Sequence, residues 1–439
     1  MKMRRSVIVG VFFAALVHPS AGEQEVESLR ALNEAARKSG QLIKVSPGRY
    51  DIRDLPVEAR RIAIAGSNNR IDLTDVHINA TVGEVNESYF LITGDGNRII
   101  GGEVEDTYRN GLQEVTDFSS YNQDRKTLAN GLRAPVMRIE GDNNTLVGLK
   151  MTTRGSFPYG YGSYYGIGRD ASFGLDKRSG ILITGNRNVL DKVELQMRSF
   201  GHGIVLQQAA DDNVIRNSHI EGRVRRTAEL FEEKAEHDLP KRTDYRIPRW
   251  DNIPLPRNAV HSLSEDGIRM YAPARNITVE NCTVTRMRGG IRLYLGKDAT
   301  VRNCTVTECE WVAYNLPDGG RLSDCKGDLS YGPLTDYRLK RSGTKAEWTI
   351  LPSPDATGDH HIMEIGGRNH HITLNRHPGP LDAKDKRTIL VTAKNSTIIN
   401  RTEYSITLDK GATSNSVSSF GEVRGDIANN TVTRLSGQR

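Results

Sequence analysis

Asn188-Val-Leu-Asp-Lys-Val-Glu-Leu195 reads as a short alternating strand opened by a polar turn residue, and the same pattern returns along the chain. It recurs at Asn144-Thr-Leu-Val-Gly-Leu-Lys-Met151, Asn213-Val-Ile-Arg-Asn-Ser-His-Ile220 and Ala299-Thr-Val-Arg-Asn-Cys-Thr-Val306. Each copy has a polar or small residue, an aliphatic two positions on, and small or aliphatic residues five and seven positions on. A unit of this size cannot bury its own apolar face, so successive units must stack to close a core. The expected fold is all-β: a right-handed parallel β-helix. In such a tube inward side chains fill the core, while outward side chains and turn insertions build long shallow grooves suited to a polymer.

A second anchor repeats beside the first. Gly180-Ile181, Gly203-Ile204, Gly267-Ile268 and Gly290-Ile291 open equivalent strands, spaced by about 23, 64 and 23 residues. The middle gap is one rung plus an insertion. With the isoleucines inward, alternation turns Leu182, Val205, Arg269 and Arg292 outward, followed by Thr184, Gln207, Tyr271 and Tyr294. The turns entering these strands carry Lys177-Arg178-Ser179, Phe200-Gly201-His202, Glu265-Asp266 and Arg288-Gly289. Cationic, aromatic and acidic groups therefore converge on one side of consecutive rungs. Arg269 and Arg292 either contact a ligand or pair with Glu265 and Asp266, and Tyr271 and Tyr294 are equally consistent with an aromatic ladder. His202, flanked by glycines that admit a close approach to the backbone, reads as functional.

The chain has 439 residues, and in a solenoid length adds rungs, not separate cores. Residues 1–22 have the basic start, short apolar run and small-residue end of a secretory signal, which implies a secreted or periplasmic protein. No other segment reads as membrane-spanning. Residues 23–41 are expected to hold a capping helix, with Val26, Leu29, Leu32 and Ala36 on one face of Glu25 to Lys38. Residues 42–439 are expected to form the β-helix, with insertions near 106–133 and 223–261; the second carries a short helix at Ala228 to Ala235. From about Asp328 the rung register turns irregular through Trp348, and strands return at Ile362.

The formal net charge of +6 falls to about +3 without Lys2, Arg4 and Arg5, so bulk charge says little about partners and gives no case for nucleic acid. Local clusters matter more, as at Arg223-Val-Arg-Arg226. Cys282, Cys304 and Cys325 share one repeat position with Val193 and Ser218, which makes them an inward stack of core thiols and not a disulfide framework.

The tract Gly155-Ser-Phe-Pro-Tyr-Gly-Tyr-Gly-Ser-Tyr-Tyr-Gly-Ile-Gly168 places four tyrosines among glycines one rung upstream. Phenols there present sugar-stacking faces and transferable protons. Taken in order on a β-helix, Pro158-Tyr-Gly-Tyr-Gly162, Lys177-Arg-Ser-Gly180 and Arg198-Ser-Phe-Gly-His-Gly203 resemble the β-helical polysaccharide lyases of the pectate-lyase-like superfamily, most of all the branch that includes alginate lyases. The resemblance implies cleavage of an anionic, uronate-containing polysaccharide by β-elimination.

That chemistry needs a base for the proton beside the carboxylate, an acid for the departing oxygen, and a neutraliser of the carboxylate charge. The expected catalytic set is Tyr161, Lys177, Arg198 and His202. Tyr159, Tyr165, Arg178, Gln207, Arg223, Arg226, Glu265, Asp266, Arg269, Tyr271, Arg292 and Tyr294 are expected to position the sugar. No cofactor is required; Ca2+ is left open because calcium-dependent lyases of this fold hold it with acidic clusters, and here Glu265-Asp266 alone lies suitably. Two alternatives stand beside elimination: hydrolysis by a carboxylate pair, and a non-catalytic glycan-binding or surface β-helix.

Overall fold

The computed structural model describes residues 22–82, 87–108, 134–155, 178–231, 246–247, 253–254, 258–336, 341–353, 356–357, 360–378 and 387–436. Tyr159, Tyr161, Tyr165 and Lys177 lie outside them, as does nearly all of the expected secretory signal.

The chain is a parallel β-helix. Its strands form one long composite sheet that covers two faces of the tube and an eight-stranded parallel sheet on the third, continued by a four-stranded sheet towards the carboxy-terminal end. Five strands of the third face carry the candidate site: β1 (Ile181–Ile183), β2 (Ile204–Gln208), β3 (Asp266–Pro273), β4 (Gly289–Arg292) and β5 (Val312–Asn315). Ile181 pairs with Ile204, Ile204 with Ile268 and Ile268 with Ile291, so the Gly-Ile alignment is the true rung register. All four isoleucines are fully buried.

The preceding glycines have a packing reason. A Cβ on Gly267 or Gly290 would sit 2.3 Å from a Val284 or Val306 methyl, and one on Gly203 would sit 2.7 Å from the Gly267 carbonyl oxygen. Gly201 is held by the neighbouring rung as well, its added Cβ falling 2.2 Å from the Arg178 carbonyl oxygen. The glycines around His202 thus admit adjacent rungs, not an outside molecule as the sequence suggested.

The Asn repeat marks a buried ladder. The Gln41 N–H donates to Asn69 Oδ1, Asn69 to Asn97, Asn97 to Asn144, Asn144 to Asn188 and Asn188 to Asn213, at 2.8 to 3.0 Å. Each amide oxygen satisfies a backbone donor that the turn would otherwise bury unpaired. On another inward column Cys282, Cys304 and Cys325 are buried free thiols, and the Cys282 and Cys304 N–H groups each meet the next sulfur at 3.5 Å.

Three expectations change. Gln24–Val26 is a strand paired with Leu42–Val45, so α1 covers only Leu29–Ala36, capped by Ser28. Asp106 belongs to the strand Arg98–Thr107 and is buried, so the excursion starts after it. The irregular stretch ends sooner than expected: Lys345–Ile350 is a strand whose register against Arg321–Gly327 shifts once, between Leu322 and Cys325, after which Trp348 lies opposite Cys325 and Leu374 and fills the core. In the second insertion Val224–Arg226 pairs antiparallel with Val260–Ser262, and a helix begins at Thr227.

Candidate active site

The site forms where β2, β3 and β4 enter the third face. Asp266 is its centre and is completely buried. Arg292 Nη1 lies 3.0 and 3.2 Å from its two carboxylate oxygens, Arg269 Nη1 lies 3.3 Å from Oδ2, and Arg288 Nη2 lies 3.5 Å from Oδ1. Burial alone would push this carboxyl up, but the neighbouring cations, Arg292 first and then Arg288, outweigh it and hold the group well below the usual carboxylate range. Asp266 therefore stays ionised and has no proton to give. Gly289 makes the approach feasible, since a Cβ there would fall 2.2 Å from Arg292 Cδ and 2.7 Å from Asp266 Oδ1.

Glu265, adjacent in the chain, contacts other groups. Its Oε2 lies 3.2 Å from His202 Nε2 and its Oε1 lies 3.5 Å from Arg288 Nη2. His202 is buried, and its Nδ1 accepts the Asp266 backbone N–H at 3.1 Å. With Nδ1 in use as an acceptor, neutral His202 carries its proton on Nε2. That nitrogen also lies 3.2 Å from the Tyr271 hydroxyl, with the two rings edge to face. His202, expected in the catalytic set, is therefore not free to act as its base: the only lone-pair nitrogen of the neutral ring is already bonded.

Above the carboxylates lies an arginine and aromatic layer. The Arg269 guanidinium sits between the rings of Tyr271 and Tyr294, 4.6 and 4.5 Å from their centroids, and its Nη2 donates to the Tyr294 hydroxyl at 2.9 Å. Arg292 stands over Trp311 at 4.6 Å and Arg288 at 5.3 Å, while Arg341 approaches Tyr294 at 5.5 Å. Arg292 Nε also donates to Asn315 Oδ1 at 3.1 Å. Arg269 and Arg292 point outward as alternation requires, yet both are buried beneath these rings, whereas Tyr271, Tyr294 and Trp311 are half-exposed.

The other expected residues scatter. Arg178 is not at the sugar face; this is a correction. Its guanidinium is fully buried, 2.8 and 3.1 Å from the Asp106 carboxylate and 4.7 Å from the Tyr89 ring centroid. Asp266, expected to touch sugar, instead holds the arginines in place. Arg198 is buried, its Nη1 reaching the carbonyls of Met197, Glu221 and Gly222 at 3.2 to 3.5 Å. Gln207 is half-buried where β2 slips register against β3. Arg223 is half-buried and Arg226 exposed, at the foot of the second insertion. On either side of residues 156–177, which lie outside the described residues, the Gly155 N–H meets the Arg198 carbonyl at 3.2 Å and the Arg178 N–H meets that of Phe200 at 2.5 Å.

Sequence reasoning did not single out Trp311, Asn315 or Arg341, and it saw Arg288 only as a turn residue. The next rung pairs Tyr314 with Ile291 and Asn315 with Arg292. Because that rung reads Ala313-Tyr314 in place of Gly-Ile, the anchor disappears there; a further step of about 23 residues would have recovered Trp311 and Asn315.

Glu265 and Asp266 do not fit a calcium ligand set, since both carboxylates already face cationic or N–H donors. Among the described residues no helix is long and apolar enough to cross a membrane.

A family model described as a right-handed β-helix region matches residues 251–326. Among solved structures the chain resembles a PL6 alginate lyase in complex with a trisaccharide, at 12% identity and TM-score 0.47, over 95% of this chain and 89% of that one. It resembles the catalytic domain of a GH87 α-1,3-glucanase in complex with tetrasaccharides at 13% identity and TM-score 0.46, over 96% and 69%. An endo-xylogalacturonan hydrolase from Aspergillus tubingensis gives 13% and 0.39, over 94% and 96%. These likenesses are of fold and do not single out the alginate-lyase branch. The search of curated proteins returns no match.

Proposed function

We propose that the β2–β4 corner binds the carboxylates of a uronate-containing polysaccharide and that the protein, exported to the periplasm or beyond, cleaves it by β-elimination. One observation carries this reading: three arginines, Arg269, Arg288 and Arg292, gather around two buried carboxylates, Asp266 and Glu265, which balance two of their three charges, beneath a half-exposed layer of Tyr271, Tyr294 and Trp311. Positive charge held in place before substrate arrives stabilises the second negative charge that develops on a uronate carboxylate when its neighbouring proton leaves. Aromatic faces beside it suit sugar rings.

Lys177 is the proposed base, being the chain neighbour of Arg178, whose backbone bonds to the rung of His202. Alginate-like polymers come first as substrate, on the resemblance of the Lys177 and Arg198 motifs. Hydrolysis by a carboxylate pair is less favoured because Glu265 and Asp266 are both buried and both face arginine or histidine nitrogens.

The test is incubation with a panel of uronate polymers while following ultraviolet absorbance of the unsaturated product. Elimination yields that absorbance, hydrolysis yields reducing ends without it, and a binder yields neither. Lys177→Ala should lower turnover on the best polymer by about two to four orders of magnitude.

A further inference from the structure

We propose that Tyr271 is the proton donor to the departing glycosidic oxygen, held in place by His202; this rests on the elimination reading of the same site. Among the described side chains at the corner, few can release a proton towards the groove. Asp266 is ionised, the arginines keep their protons, and the Nε2–H of His202 is buried and turned towards Glu265 and Tyr271. Tyr271 is half-exposed and carries a hydroxyl.

Its surroundings match the phenolate that donation leaves behind. His202 Nε2, 3.2 Å away, supplies a hydrogen bond to the oxygen, and the Asp266 N–H on Nδ1 holds the imidazole in the tautomer that can do so. The Arg269 cation lies 4.6 Å from the ring centroid. Tyr294 also flanks Arg269, but its hydroxyl is taken up as the acceptor of a 2.9 Å hydrogen bond from Arg269 Nη2.

The step balances as follows. The base takes the proton beside the uronate carboxylate, and the electrons of that C–H bond form the new C=C bond. The adjacent C–O bond breaks with its electron pair on oxygen, and that oxygen takes the Tyr271 proton. Solvent then returns the proton from base to phenolate. In this scheme Tyr271 is a catalytic residue and His202 a positioning one. The assignment moves the donor from the Tyr159 and Tyr161 tract onto a strand of the tube.

Tyr271→Phe removes one half-exposed hydroxyl and should melt like the parent. On the polymer that gives unsaturated product, its kcat should fall by about two to four orders of magnitude with KM within a few-fold. A uronide dimer bearing an aryloxy group at the scissile position leaves without protonation, and on it the variant should recover most of the loss. His202→Gln should give a smaller kcat loss, also reduced on the aryloxy substrate. A Tyr271→Phe enzyme within a few-fold of the parent on polymer, or one equally impaired on both substrates, overturns the proposal while elimination stands. A parent enzyme that makes no unsaturated product from any uronate polymer overturns both.

Discussion

Arg292 and Asp266, on neighbouring rungs of one face, form a buried two-point ion pair, with Nη1 3.0 Å from one carboxylate oxygen and 3.2 Å from the other. Gly289 gives the pair its room. Geometry of this kind makes the carboxylate a fixed counter-ion to the arginines beneath the aromatic layer.

Asp266→Asn should therefore act first on stability. Removing one partner from a buried charge network typically costs about 3–5 kcal/mol, because the remaining charges stay buried without compensation. Denaturant melts of the parent and the variant measure the difference. A loss within a few tenths of a kcal/mol would show that the arginines relax to solvent and are not held by Asp266.

The same pair sets a pH dependence. Burial pushes the Asp266 carboxyl up, but Arg292 and Arg288 bring it well below its unfolded value. A group lowered in the folded state contributes stability above its unfolded value and loses that contribution as pH falls through the folded one. The gap between parent and Asp266→Asn should stay constant from alkaline pH down to the usual carboxylate range and narrow only below it. Melts across acid pH give the sign directly, and a gap that widens on acidification contradicts the assignment.

Arg178→Ala should behave as a core lesion. It strands Asp106 in the interior without its bidentate partner, at a cost of about 3–5 kcal/mol. Thermal melts and polymer-binding isotherms separate the two roles: normal stability with weakened binding would restore Arg178 to the sugar face.

Asn188→Ala removes the acceptor of the Asn144 N–H and keeps the backbone N–H that donates to Asn213 Oδ1. Leaving a buried backbone donor unsatisfied costs about 1–3 kcal/mol. Equilibrium unfolding should report this, with activity on the best polymer retained under conditions where the variant stays folded.

Thiol titration of the unfolded, unreduced protein should count four groups, the three of the core column and the buried Cys309. Two would mean that neighbouring rungs are bridged.

Much of the tube was legible in the chain. The Asn and Gly-Ile anchors recur because each rung must solve the same problem of satisfying a turn donor and clearing a backbone neighbour, so one stack leaves a periodic mark. Boundaries were less legible where strand and helix patterns overlap: Val26 suits an apolar helix face as well as a strand, and it is pairing with Val45 that makes it a strand. Trp348 departs from the small-residue column, yet it lies fully buried opposite Cys325.

The site divides along the same line. Alternation on strands of known register was enough to put Arg269, Arg292, Tyr271 and Tyr294 on one face with His202 and Asp266 at its entrance, because those relationships depend only on spacing along the chain. What each of them does depends on partners that spacing does not encode. Arg178 and Arg269 precede or follow a rung isoleucine in similar contexts, but one meets Asp106 from 72 residues away inside the fold and the other lies between two tyrosine rings. Whether a histidine nitrogen is a free base or a bonded acceptor turns on one backbone N–H, that of Asp266, brought beside His202 across 64 residues by the stacking of rungs. Periodicity determines which residues share a face; charge burial and hydrogen-bond direction, set by contacts between rungs, are decided only when the tube closes.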